Sequence, residues 1–153
     1  MCISINGFAV LNDTVLRKRW KVLRKPFTQT QRRIHANDSH FEELRQKSIK
    51  MLGRHDVSIL SVFQLTQEID HDYFTKDGLQ FDLVYTNLLK ALFLEMSLGE
   101  YNKIKIIIDA RKHKGGNLGE QTFKKEIEMF LIEKFPSTQH KFILTPSYMY
   151  PLL

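Results

Sequence analysis

KIKIIID, running from Lys103 to Asp109, is the stretch that decides the fold of this chain. Ile104, Ile106 and Ile108 recur at a period of two and share one face, while Ile107 lies on the other, so a short β-branched run reads as a buried strand. Asp109 closes it. Lys112 to Gly119 then form a polar, glycine-containing turn, after which Asn117 and Glu120 supply caps for a helix. Phe123, Ile127, Phe130 and Leu131 give that helix one apolar stripe, and Glu120, Lys124 and Glu128 alternate in sign along its outside. Pro136 breaks it, and Lys141 to Thr145 reads as a second strand. A strand, a helix and a strand in succession place the chain in the α/β class.

The same reading extends outward. Cys2 to Val10 is apolar and β-rich, a strand with a bulge at Gly7. Leu16, Trp20 and Leu23 then recur at helical spacing from about Asp13, and Pro26 stops the pattern. Ser39 and Glu42 have the spacing of a capping box, with Phe41, Leu44, Ser48, Met51 and Leu52 lining one face of the helix that follows and Gly53 near its end. Val57 to Leu65, VSILSVFQL, puts Val57, Ile59, Phe63 and Leu65 on one face and Leu60 and Val62 on the other, a mostly buried strand. Leu79 to Leu98 is apolar on nearly every side, which predicts a central helix with Gly99 as its C-cap. The order strand, helix, helix, strand, helix, strand, helix, strand predicts one mixed sheet covered by helices.

A chain of 153 residues with 42% hydrophobic content can bury one sizeable core, so residues 1–153 read as a single domain. The single Cys2 forms no internal disulfide, and no basic-then-apolar leader or uninterrupted apolar span is present, which together predict a cytoplasmic protein without a membrane segment. The net charge of +6 is concentrated. Between Asp13 and Asp38 there is no acid, yet Arg17, Lys18, Arg19, Lys21, Arg24, Lys25, Arg32 and Arg33 all fall there, so the remainder of the chain is slightly acidic. Such a stretch is either a solvated helix face or a surface that attracts polyanions by counterion release. Trp20 shares the spacing of Leu16 and Leu23, which favours packing over base stacking.

Few patterns carry chemistry. Asp109, at the carboxyl end of a buried strand and ahead of a glycine-containing loop, stands where open α/β sheets place their ligands; it either binds Mg²⁺ through oxygen or satisfies the turn and pairs with Arg111. Lys112-His113-Lys114-Gly115-Gly116 lacks the full phosphate-loop pattern. The six histidines show neither HxxxH spacing nor a cysteine partner. Asp70-His71-Asp72 reads as a turn, and no GxSxG nucleophile elbow occurs.

Four stretches taken in order carry a resemblance. GFAVLNDTVLRKRWKVLRKPF, RRIHA, IIIDAR and the tail SYMYPLL resemble successive parts of the ribonuclease-H-like family catalogued as domain of unknown function 3800. The resemblance implies a ribonuclease-H-like mixed sheet flanked by helices and, by analogy, nuclease chemistry dependent on Mg²⁺ or Mn²⁺. It assigns catalytic roles to Asp109, Arg111 and His35, with Asp109 also the metal ligand. The family's opening strand with Asp-Glu-Ser would lie before Met1 and its closing Gln-x-Ala-Asp helix beyond Leu153, while Arg33 stands where an acid often precedes the histidine. Two-metal hydrolysis needs several converging carboxylates. The expectation is therefore a domain with little or no cleavage activity. The alternative is a non-catalytic nucleic-acid-binding or protein-interaction module acting through residues 14–37, with Arg17, Lys18, Lys21, Arg24, Lys25, Arg32 and Arg33 as the contacts. A missing first strand would leave a sheet edge open, which predicts a homodimer or a complementing chain there.

Overall fold

The computed structural model of the chain describes residues 2–27, 38, 40–54, 57–109 and 117–145, with the side chains of Asp109, Asn117, Leu118 and Thr145 outside that description. Its strands are β1 (Cys2–Val10), β2 (Val57–Leu65), β3 (Phe74–Thr75), β4 (Gly78–Leu79), β5 (Lys103–Asp109) and β6 (Gln139–Thr145). Its helices are α1 (Asp13–Arg24), α2 (Phe41–Leu52), α3 (Phe81–Glu95) and α4 (Asn117–Lys134). The α/β class is thus observed. The described residues divide into two compact units, one built from the stretches up to Gly7 and from Ile59 onward, the other from Phe8–Ser58.

In the first unit α3 is the central element, as its all-round apolar sequence requires. It buries Val84, Tyr85, Leu88, Leu89, Leu92 and Phe93, and the hydroxyl of its buried Thr86 donates to the Asp82 carbonyl at 2.8 Å. The Tyr85 ring stacks on Phe123 of α4 at 5.8 Å, and Phe123 meets Phe142 of β6 at 6.4 Å, so one aromatic column ties two helices to a strand. Lys90 of α3 donates to Glu126 of α4 at 2.6 Å. Ile127 and Leu131, one turn apart on α4, are fully buried, each a burial that stabilises by about 1.5–3 kcal/mol.

β5 and β6 pair in parallel from Lys103↔Gln139 to Asp109↔Thr145, with α4 as the crossover that a parallel pair needs. At the entrance, the Gln139 amide donates to the Asn102 carbonyl at 2.9 Å and the Thr138 hydroxyl to the Leu98 carbonyl at 3.4 Å. β1 pairs with β2, and Ser61 donates to the Asn6 side chain at 2.6 Å. Gly7 lies inside the uninterrupted β1, and the reason for glycine is α3: a Cβ there would stand 2.8 Å from a Leu92 methyl and 2.9 Å from the Met96 methyl.

Several expectations are corrected. The single mixed sheet is replaced, among the described residues, by three two-stranded ladders, β1–β2, β3–β4 and β5–β6. Isoleucines 3 and 5 of β1 nevertheless share one apolar core with Ile104 and Ile106 of β5, so the ladders pack on common helices without hydrogen-bonding to each other. β2 is not mostly buried: Ile59 and Phe63 are 61% and 68% exposed, whereas Leu60 and Val62 pack on the core. The end of α3 is capped by Met96 rather than Gly99, with Ser97 in the left-handed region at φ 49°. Of the capping box, Ser39 lies outside the described residues; His40 occupies the cap position and makes no side-chain capping bond. The β3–β4 hairpin is an addition, with Gly78 at φ 101° after Lys76-Asp77. No helix among the described residues is long and apolar enough to cross a membrane.

Candidate nucleic-acid interface

α1 begins where Asn12, in extended backbone, accepts the Thr14 amide on its side chain at 3.1 Å, the role that favours Asn at a helix start. Asp13 in the first turn and Lys21 and Arg24 in the last complement the helix dipole. The helix gives way to a 3-10 turn, Lys25–Phe27, at Pro26. Leu16 is fully buried, and Trp20 and Leu23 beside it are half-buried. The indole N–H of Trp20 is shielded and has no hydrogen-bond partner among the described residues, so the ring serves packing and is no open stacking platform.

The opposite face holds Lys18, Lys21 and Lys25, spaced three and four residues apart and all exposed, with Arg19 exposed at its flank. Among the described residues none of these four makes an ion pair or hydrogen bond through its side chain. Like charges at this spacing repel by roughly 0.2–0.5 kcal/mol per pair, a cost that a bound polyanion relieves. α2, in the same unit, shows the contrast. Its Arg45 and Lys47 are neutralised within the helix by Glu42 and Glu43, each at 2.6 Å. Hydrogen bonds from Arg45 and Gln46 hold the Glu42 carboxyl down at about 2, and the bond from Lys47 lowers that of Glu43. The Phe27 ring, following α1, lies 6.4 Å from the His40 ring ahead of α2 and 5.2 Å from the Lys47 ammonium, which fixes the end of α1 against the start of α2.

Of the sequence-expected contacts, Lys18, Lys21 and Lys25 are exposed and Arg17 and Arg24 are half-buried with interactions of their own. Arg19 joins the exposed set; its neighbours in the same basic run were the signal for it. Arg32, Arg33 and His35 lie outside the described residues, as does Arg111.

Asp109 ends β5 opposite Thr145, as its sequence position requires. It belongs to one compact unit and α1 to the other. Among the described residues no three His, Cys, Asp or Glu side chains gather as metal ligands. Against models of known families, curated proteins and solved structures, the chain finds no match.

Proposed function

We propose that this chain is a nucleic-acid-binding domain of ribonuclease-H-like, domain of unknown function 3800 type, with little or no phosphodiester cleavage of its own. The observation that carries the reading is the exposed face of Lys18, Arg19, Lys21 and Lys25, uncompensated among the described residues and held outward by burial of Leu16. Flexible lysines on one helix face make point-charge contacts with phosphates, which position a nucleic acid without reading its sequence. The ancestry rests on the ordered resemblance of the chain, supported by the parallel β5–α4–β6 unit with Asp109 at its carboxyl end. Any Mg²⁺ or Mn²⁺ chemistry would centre on Asp109, with Arg111 and His35 as the residues the resemblance adds. The single Cys2 suits a reducing compartment and supports a cytoplasmic location.

Incubation with RNA, DNA and hybrid substrates in Mg²⁺ or Mn²⁺ tests both halves of the proposal. Binding without metal-dependent cleavage is expected, and Asp109→Asn should leave that binding intact. Reversing charge at Lys18, Arg19, Lys21 and Lys25 should weaken it at least tenfold. Metal-dependent cleavage abolished by Asp109→Asn would instead establish an active nuclease. Equal binding by the reversed variant would remove α1 from the interface.

A further inference from the structure

β2 is paired on one side by β1, and no further strand pairs with it among the described residues. An open edge presents a row of backbone donors and acceptors that another strand can satisfy, and natural proteins guard such edges with charge or proline. β5 and β6 carry lysines, with Lys105 and Lys141 side by side in register. β2 carries no charge and no proline at all. Its outer face, moreover, exposes Ile59 and Phe63 on either side of Ser61.

The sequence of β2 specifies its occupant. VSILSVFQL is a palindrome in polarity about Ser61: Val57 mirrors Leu65, Ser58 mirrors Gln64, Ile59 mirrors Phe63, and Leu60 mirrors Val62. Two copies aligned antiparallel about a two-fold axis at Ser61 therefore meet apolar against apolar and polar against polar at every position. Residues directly opposite in an antiparallel pair share a face. Ile59 then stands against Phe63 of the partner subunit on the outer face, and Leu60 against Val62 of the partner subunit on the core side. An isologous contact places equivalent surfaces together, and the absence of charge removes the repulsion that self-pairing of a lysine-bearing strand would meet. Joining the ladders would also turn two marginal two-stranded sheets into one of four strands. We infer that the chain self-associates as a two-fold dimer through antiparallel pairing of β2 with β2 of a second copy, in register about Ser61.

Sedimentation equilibrium of the full chain, from about 1 μM to about 1 mM to span weak and moderate affinities, should show a monomer–dimer equilibrium. Ile59→Lys and Phe63→Lys, at positions already exposed, should each weaken dimerisation at least tenfold while circular dichroism stays unchanged. In a Cys2→Ser background, Ser61→Cys should cross-link under mild oxidation, because opposed antiparallel residues stand about 4.5–5.5 Å apart between Cα atoms, within disulfide range. Lys76→Cys in the β3–β4 turn serves as the control. A monomer throughout the series would overturn the inference. So would a dimer indifferent to both lysine variants, or cross-linking through Ser61→Cys no faster than through Lys76→Cys.

Discussion

Glu42 shows how much a single side chain can be tuned on an open surface. Hydrogen bonds from Arg45 and then from Gln46 lower its carboxyl from the ordinary 4.5 to about 2. A depressed folded-state value means that this contribution to stability is fully present above pH 4.5 and is lost as pH falls from there toward 2. Arg45→Met should raise the Glu42 titration, followed by carbon NMR of its carboxyl, toward its ordinary value, with the Gln46 hydrogen bond still lowering it; an unchanged midpoint would show that Arg45 is not the main cause. Gly7 is constrained sterically instead. Adding a methyl there drives it into Leu92, which is buried, and Met96, whose chain end can swing aside. Gly7→Ala should therefore destabilise by about 1–3 kcal/mol, as overpacking does, measured by urea denaturation. A neutral effect would mean that α3 does not press on β1.

Among the elements, α4 tests the packing most clearly, because two isoleucines of one helix have opposite surroundings. Ile127 is 0% exposed and Ile132 is 59% exposed. Ile127→Ala should cost about 2–5 kcal/mol, whereas Ile132→Ala should stay within about 0.5 kcal/mol, both read from chemical denaturation. Comparable losses would mean that the helix is rotated relative to this account. The stripe Phe123, Ile127, Phe130, Leu131 was legible in the sequence because burial at helical period depends only on near neighbours. So were the ends of α1 and α4, marked by Pro26 and Pro136. The exposure of Ile59 and Phe63 was not legible: alternation separates the two faces of a strand, but which face is covered is set by elements distant in sequence. The β3–β4 hairpin could have been found from Asp77-Gly78, since that pair favours the positive φ of a tight turn. The left-handed Ser97 carries no such signal, because the expected cap was the glycine two residues later.

At the scale of the whole molecule, the sequence located the four longer strands, β1, β2, β5 and β6, but not how they divide into ladders. β1 and β5 contribute to one apolar core, yet belong to separate ladders. Strand pairing is decided by long-range backbone hydrogen bonds that local pattern does not encode. The charge distribution was legible in advance, since the basic run needs no structure to be counted. What the fold adds is the sorting of that run, with Lys18, Arg19, Lys21 and Lys25 exposed and without partners among the described residues, and Arg17 and Arg24 half-buried. Asp109 keeps the position its strand dictates, and the two residues that the resemblance would set beside it in catalysis, Arg111 and His35, fall outside the described segments.

The proposed binding face of α1 is tested most directly by the salt dependence of affinity for a fixed duplex DNA. Each phosphate contact contributes about 0.9 to the slope of log affinity against log salt. The variant with Lys18, Arg19, Lys21 and Lys25 all changed to Gln should lose about three to four units of that slope, with the helix content unchanged. An identical slope in wild type and variant would contradict the account.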